Sequence, residues 1–210
     1  MQGNACGAPR AAAQRGMIFG VDEAGRGPLA GPVVAGAVWL GTSAIAGLAD
    51  SKKLSPKRRA ALEARIKAEA HWAVGVVEAD EIDRINIFAA TMLAMTRAVA
   101  GLAAQVGEPA LTLIDGNKTP QGRVPEWRWA ARAIVGGDAT EAAISAASII
   151  AKEHRDRIMR ALAAQHPQYG WERNAGYGTA EHLVALREHG ATVHHRRSFA
   201  PVALVEKTAR

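Results

Sequence analysis

The chain has 210 residues, of which 49% are apolar and 22% charged, so it can bury one domain-sized core and is not a disordered chain. The net charge of +6 and the sequence pI of about 9.9 favour a polyanionic partner such as nucleic acid, although a basic surface without function has the same charge. The single cysteine, Cys6, excludes an internal disulfide and a thiolate zinc cluster, and it fits a reducing, cytoplasmic setting. No run of 18 or more apolar residues is present, so we expect no membrane span.

The predicted elements begin after residue 16, because residues 1–16 lack a signal-peptide core and are expected to form a flexible tail. We therefore expect one domain over residues 17–210. Apolar runs rich in β-formers predict five strands, which are Met17–Val21, Val33–Leu40, His71–Val77, Leu111–Ile114 and Ala133–Val135. Capping residues and apolar spacing predict four helices, which are Pro56 to about Ala70, a long helix from Asp80, about Thr140–Ala164, and one from Thr179 to before Gly190. This order predicts an α/β fold with a mixed central β-sheet flanked by helices and a small helical C-terminal extension.

Acidic residues follow three of the predicted strands. Asp22 and Glu23 follow Val21, Asp115 follows Ile114, and Asp138 comes shortly after Val135. Strand ends gather ligands in α/β sheets, so these acids are expected to converge. Four carboxylates suffice for two divalent cations roughly 3.5–4 Å apart, the arrangement used to hydrolyse phosphodiesters. Structural interpretations stay open for single residues, because Asp115-Gly116 is a common turn and Asp138 is placed to favour a helix dipole.

Asp22 and Glu23 are adjacent, and adjacent strand residues point to opposite faces of a sheet. We therefore expect the strand to break at Ala24-Gly25, so that both acids reach one site. Gly25-Arg26-Gly27 comes next, where glycines allow close approach of the backbone to a ligand and the arginine suits a phosphate.

Eight motifs in order, from about Met17 to Val202, closely resemble ribonuclease HII, the bacterial type 2 ribonuclease H. They are GVDEAGRGPLAGPVVAGAV at 20–38, DSKKLS at 50–55, EIDRINI at 81–87, IDGN at 114–117, GDA at 137–139, ISAASIIAKEHRD at 144–156, GYGT at 176–179 and HRRSF at 195–199. The resemblance implies a ribonuclease H-like fold and a metal-dependent endonuclease. The implied substrates are RNA–DNA hybrids and duplex DNA with single ribonucleotides. Cleavage on the 5′ side of the ribonucleotide would leave 3′-hydroxyl and 5′-phosphate ends.

The resemblance also implies roles for individual residues. The family's catalytic acids, which hold two Mg²⁺ or Mn²⁺ ions, map to Asp22, Glu23, Asp115 and Asp138. Residues implied to bind substrate are Gly25, Arg26 and Gly27, which read the 2′-hydroxyl, and Tyr177, which senses the junction. Ser51, Lys52 and Lys53 offer phosphate contacts, although by themselves they would be an ordinary solvated charge cluster. We expect a cytoplasmic monomer that uses the 2′-hydroxyl for recognition and not as the nucleophile.

The chain departs from the family pattern at three positions. The stretch between Asp115 and Asp138 is longer than typical and contains Trp127, Arg128 and Trp129. Arg173-Asn174-Ala175 precedes GYGT, where relatives often carry lysine, and Gly136 replaces another common lysine.

Two other functions are compatible with parts of the sequence. A metal-free ribonuclease would use His194 and His195 and leave a cyclic phosphate. A non-catalytic duplex-binding module would explain the basic charge but not the acids.

Overall fold

A computed structural model describes residues 16–208. Cys6 and, apart from Gly16, the predicted flexible tail lie outside the described residues. The sheet has five strands, which are β1 (Ile18–Ala24), β2 (Val33–Trp39), β3 (His71–Val77), β4 (Leu111–Asp115) and β5 (Ala131–Ile134). Their spatial order is β3-β2-β1-β4-β5, with antiparallel pairing among β1, β2 and β3 and parallel pairing of β1 with β4 and of β4 with β5. The predicted mixed α/β sheet is confirmed.

Helices cover both faces of this sheet. They are α1 (Pro56–Glu69), α2 (Ala79–Val106), α3 (Gly137–Thr140), α4 (Ala142–Gln165), α5 (Trp171–Asn174), α6 (Ala180–His189) and α7 (Ala200–Thr208), with a 3₁₀ turn at Pro167–Tyr169. The main core lies between α2 and one sheet face, and a second cluster lies between α1, α4 and the other face. The elements after α4 form the helical C-terminal extension, of which only α6 was predicted as a helix.

Small residues let α4 lie directly on the sheet. A Cβ atom at Gly20 would lie 2.1 Å from the carbonyl carbon of Ala143, and one at Gly36 would lie 2.5 Å from the oxygen of Ala147. Larger residues at either strand position would push the helix away. The close approach brings the α4 side chains that follow, including Ser148, Lys152 and Arg155, near the end of β1.

Several predicted boundaries are confirmed and several are wrong. The Ser55 hydroxyl accepts a 3.3 Å hydrogen bond from the Arg58 amide and begins α1 as expected. The helix expected at 140–164 is divided at Glu141 into α3 and α4, and β5 begins and ends before its predicted bounds. Helix α2 contains a kink at Asn86, with φ of 66°, where the Asn86 side chain accepts from the Phe88 and Ala89 amides.

Strand β1 ends at Ala24, where the break was expected, but this end comes after both acids and does not bring Asp22 and Glu23 to one face. The strand continues through Asp22 and Glu23, because β2 pairs with it as far as Ala24 opposite Val34. The two acids therefore lie inside a regular strand.

Helix α2 is long and apolar enough to cross a membrane by length and composition, with 56% of its most apolar window buried in the fold. It packs on β1, β2 and β3, as expected for a core helix.

Candidate active site

Three aspartates meet at one end of the sheet. Asp22 lies in β1, Asp115 ends β4 and Asp138 lies in α3. The parallel register pairs Val21 with Ile114, which brings the two residues that follow side by side. One carboxylate oxygen from each aspartate lies within 4.8 Å of the other two, and the Asp138 amide donates to Asp115 Oδ1 at 3.3 Å. We call this group the three-aspartate cluster.

Glu23 lies outside this cluster and on the opposite side of β1. Asp22 faces α4, as Gly20 does, whereas Glu23 shares the α2 face with the core residue Val21. Glu23 lines a cavity of about 260 Å³ together with Asp115, and it accepts a 3.3 Å hydrogen bond from Arg26 Nη1. Glu23 nevertheless interacts electrostatically with the cluster, since its charge raises the pKa of Asp22 and the charge on Asp115 raises the pKa of Glu23.

Burial and the repulsion of neighbouring carboxylates raise the pKa values of Asp22, Glu23 and Asp138. The pKa of Asp22 lies well above its ordinary value because of burial first, and then because of the charges on Glu23 and Asp115. Burial also raises the pKa of Glu23, although Arg26 opposes that shift. The pKa of Asp138 is raised by burial, by Asp115 and by Asp50. Clustered carboxylates of this kind fit a hard divalent cation, which would relieve the repulsion.

Ser148 supports Asp22 from α4. A hydrogen bond from the Ser148 side chain favours the ionised form of Asp22 and so opposes, without overcoming, the rise in its pKa. The Ser51 and Ser148 hydroxyl oxygens are 2.7 Å apart, and Ser51 is buried at 2% exposure. If Ser148 donates its proton to Asp22, Ser51 donates to Ser148, since each hydroxyl has one proton. The Ser51 side chain is thus directed into the fold behind the acids.

A cavity of about 580 Å³ adjoins the acids and collects most of the predicted substrate-binding residues. Its lining contains Gly25, Arg26, Gly27, Ser51, Lys52 and Tyr177, together with Lys152 and Arg155. We call it the recognition cavity. Lys53 is exposed and does not line it. The Tyr177 ring is 49% exposed and lies across from Gly27, with 3.5 Å between Cε1 and the site of a Gly27 Cβ.

Ser148, Lys152, Arg155 and Arg196 were not among the predicted site residues. All four lie within the motifs at 144–156 and 195–199, which is the signal that could have identified them. Lys152 Nζ donates to both oxygens of Asp156, at 2.5 and 2.7 Å, which fixes its ammonium group at the cavity wall.

Two of the departures from the family pattern lie away from the acids, and the third, Gly136, lies two residues before Asp138. Trp127 and Trp129 pack edge to face in the main core, with 5.1 Å between their ring centroids, and Trp127 Nε1 donates to the Trp129 carbonyl at 2.7 Å. Arg173 pairs with Glu172 and Glu181 and does not line the recognition cavity. Gly136 precedes α3 with φ of 69°.

His194 and His195, the candidates for metal-free chemistry, belong to an aromatic cluster in the C-terminal extension. His195 is 1% exposed, its Nε2 lies 3.1 Å from His182 Nε2, and its Nδ1 accepts from the Thr192 amide at 3.0 Å. A ring enclosed in this way does not reach a phosphate at the protein surface.

Acid should destabilise the fold through His195. Burial, and then the neighbouring His182, lowers the pKa of His195 from 6.5 to about 3. Because the folded pKa is depressed, its contribution to stability is fully present above pH 6.5 and is lost as the pH falls towards 3. Between pH 7 and pH 5 we expect a loss of about 2 kcal/mol in the free energy of unfolding, measured by urea denaturation.

The control compares two variants. His195→Gln should flatten this pH dependence, whereas the exposed His189→Gln should retain it. Equal pH dependence in wild type and His195→Gln would contradict the assignment.

Comparisons with known proteins show the family to which the chain belongs. The family model described as Ribonuclease HII matches residues 19–202. Ribonuclease HII from Novosphingobium aromaticivorans is 69% identical over 90% of this chain and 98% of its own length. The crystal structure of ribonuclease H2 from Pyrococcus horikoshii OT3 is 26% identical, with a TM-score of 0.73 over 91% of this chain and 97% of that one. The Bst-RNase HIII structure in complex with Mn²⁺ has a TM-score of 0.76 at 20% identity, covers 100% of this chain and 77% of that one, and shares the fold. The chain belongs to the ribonuclease HII family of endoribonucleases.

Proposed function

We propose that the protein is a divalent-metal-dependent endonuclease that hydrolyses the RNA strand of RNA–DNA hybrids. It also cuts on the 5′ side of single ribonucleotides in duplex DNA and leaves 3′-hydroxyl and 5′-phosphate ends. The observation that supports this most strongly is the three-aspartate cluster beside a cavity lined by Gly25–Gly27 and Tyr177.

Asp22, Asp115 and Asp138 would hold Mg²⁺ or Mn²⁺, with Glu23 contributing from the other face of β1. When two such ions are bound, they supply Lewis-acid stabilisation of the charge that develops on the phosphate and of the leaving oxygen. Ser148 orients Asp22, and Arg26 orients Glu23. The Lys52 charge opposes the rise in the pKa values of Glu23 and Asp138 and so favours their ionised, ligating forms.

Substrate recognition requires a contact with the 2′-hydroxyl, the group that distinguishes a ribonucleotide sugar from its DNA neighbours. The backbone at Gly25–Gly27 is accessible at the recognition cavity because neither glycine presents a side chain there. Lys52, Lys152 and Arg26 supply cationic groups for phosphates, which position a duplex without reading its sequence. The exposed Tyr177 ring offers a flat surface for packing against a sugar.

The test uses three duplexes of one sequence: all-DNA, DNA with one ribonucleotide, and an RNA–DNA hybrid. We expect cleavage of the last two in Mg²⁺ or Mn²⁺, no cleavage in EDTA, and no cleavage of all-DNA. Binding should weaken steeply with salt, because phosphate contacts release counterions. Binding without cleavage in either metal would support a duplex-binding module instead, and cleavage in EDTA would support the metal-free alternative.

Tyr177→Ala should raise KM for the single-ribonucleotide duplex by about tenfold, since an aromatic stacking contact contributes ~1–3 kcal/mol. Tyr177→Phe keeps the ring and should stay within about threefold of wild type, because the ring surface rather than the hydroxyl makes the contact. Steady-state kinetics on the three duplexes measures both effects. Equal KM values for the Ala and Phe variants would contradict a packing role for the ring.

A further inference from the structure

Two arginines lie buried beneath the recognition cavity. Arg155 of α4 is 1% exposed and Arg196, which follows α6, is 0% exposed. Among the described residues, neither forms an ion pair with a carboxylate. Burial of a cation without a countercharge is unfavourable unless its donors are satisfied. Burial lowers the pKa of Arg155 to about 10 and that of Arg196 to about 9, so both stay protonated at neutral pH.

Arg196 holds the carbonyl oxygens of the loop Gly25–Gly27 from inside the protein. Its Nη2 donates to the Gly25 oxygen at 2.6 Å and its Nη1 to the Arg26 oxygen at 2.9 Å. Its Nε donates to the Gly31 oxygen at 2.9 Å, and the guanidinium carbon lies 5.2 Å from the centre of the Phe199 ring. All three nitrogens thus bind backbone carbonyls of one short segment.

This binding determines where the loop amides point. The described residues contain no cis peptide, and in a trans peptide the carbonyl of one residue points opposite to the N–H of the next. With the Gly25 and Arg26 carbonyls turned inward to Arg196, the N–H groups of Arg26 and Gly27 point away from it. Neither amide has an acceptor within the described part of the chain, and both residues line the recognition cavity.

Arg155 links this loop segment to the segment that carries Tyr177. Its Nε donates to the Pro32 oxygen at 2.9 Å and its Nη2 to the Ala30 oxygen at 3.0 Å. Its Nη1 donates to the Ala175 oxygen at 2.9 Å, two residues before Tyr177. One guanidinium group therefore fixes the separation of the two walls of the recognition cavity.

We propose that Arg155 and Arg196 are positioning residues for ribonucleotide recognition. Arg196 turns the Arg26 and Gly27 amides outward as paired donors to the 2′-hydroxyl oxygen, and Arg155 holds Tyr177 at the matching distance. The proposal rests on the proposed function, because it requires that the cavity takes a ribonucleotide.

The test compares Arg196→Lys and Arg155→Lys with the wild type. Lysine keeps the charge but lacks the planar fork that binds several carbonyls at once. The control is Arg157→Lys, since Arg157 lies on the same helix but is partly exposed and pairs with Glu63. For each protein we would measure KM for the single-ribonucleotide duplex and the inhibition constant of the matched all-DNA duplex. Their ratio does not depend on the fraction of folded enzyme.

We expect the ratio of the all-DNA inhibition constant to the single-ribonucleotide KM to fall at least about tenfold in both test variants, because a hydrogen bond to the substrate is misaligned. The same ratio should be unchanged in Arg157→Lys. A ratio within twofold of wild type in both test variants would overturn the proposal. A wild-type enzyme that did not discriminate between the two duplexes would overturn the proposed function instead.

A measurement on the wild-type protein tests the proposal even where the variants do not fold. We expect amide hydrogen exchange at Arg26 and Gly27 to be fast in the free protein. Adding the single-ribonucleotide duplex, with Ca²⁺ as the divalent cation, should slow this exchange, whereas adding the all-DNA duplex should not. Equal protection by both duplexes, or protection by neither, would contradict the outward orientation of these donors.

Discussion

The Asp22→Asn variant is expected to lose cleavage by at least about 10³-fold, since removing even one preorganised electrostatic contact costs roughly 10²–10³-fold. The same substitution should stabilise the metal-free protein by about 1 kcal/mol, or roughly 3 °C in Tm, because it removes a charge held for function and not for folding. Asp22 is 5% exposed and lies beside Asp115 in the three-aspartate cluster. Calorimetry in EDTA and steady-state kinetics in Mg²⁺ measure the two effects.

The stability gain should depend on pH in a defined direction. The pKa of Asp22 is raised above 3.8 in the folded protein, so its unfavourable contribution is absent below that pH and grows as the pH rises through the folded pKa. The two proteins should thus differ in Tm at pH 7 and converge near pH 3.5. The exposed Asp80→Asn provides the control and should change neither activity nor this pH dependence. A less stable Asp22→Asn protein at pH 7 would contradict the electrostatic explanation.

Gly25→Ala and Gly27→Ala should separate folding from recognition within one loop. Gly25 has φ of +97°, and a Cβ there would lie 2.1 Å from Arg155 Nε and 2.7 Å from the Pro32 oxygen. The left-handed conformation costs about 1–2 kcal/mol for alanine and the overlap about 1–3 kcal/mol. We therefore expect Gly25→Ala to lower stability by ~3 kcal/mol, which is roughly 6–12 °C in Tm.

Gly27→Ala should leave Tm unchanged, because its Cβ would meet only Tyr177 Cε1, at the ordinary contact distance of 3.5 Å. The methyl group would instead occupy space in the recognition cavity, and KM for the single-ribonucleotide duplex should rise by about tenfold. Thermal scanning and steady-state kinetics on both variants measure this contrast. A stable Gly25→Ala protein, or a Gly27→Ala protein with unchanged KM, would show that the loop backbone does not have these separate roles.

The convergence of Asp22 and Asp115 could be predicted from the sequence, because both lie where an apolar strand run ends. Asp22 and Asp115 each follow an apolar run, and parallel strands place such positions side by side. The local geometry of Asp22 and Glu23 did not follow, since the continuation of β1 depends on pairing with β2 up to Val34. Pairing with β2 thus kept the two acids on opposite faces, because the strand ends at Ala24, after both acids rather than between them.

The buried arginines were not predictable for a related reason. Arg155 lies in a charged helical stretch and Arg196 in a basic run, and either pattern is typical of a solvated surface. Five of the six carbonyl groups that they bind are 123 to 171 residues away in sequence. The residue pattern within either segment does not indicate these distant contacts.

Mapping the product ends from a duplex with one ribonucleotide tests the central claim most directly. With Mg²⁺ or Mn²⁺ we expect one fragment that ends in a 3′-hydroxyl directly before the ribonucleotide and another that begins with a 5′-phosphate on that ribonucleotide, with no product in EDTA. A 2′,3′-cyclic phosphate on the ribonucleotide, formed in EDTA, would contradict the metal-dependent mechanism and the role of the three-aspartate cluster.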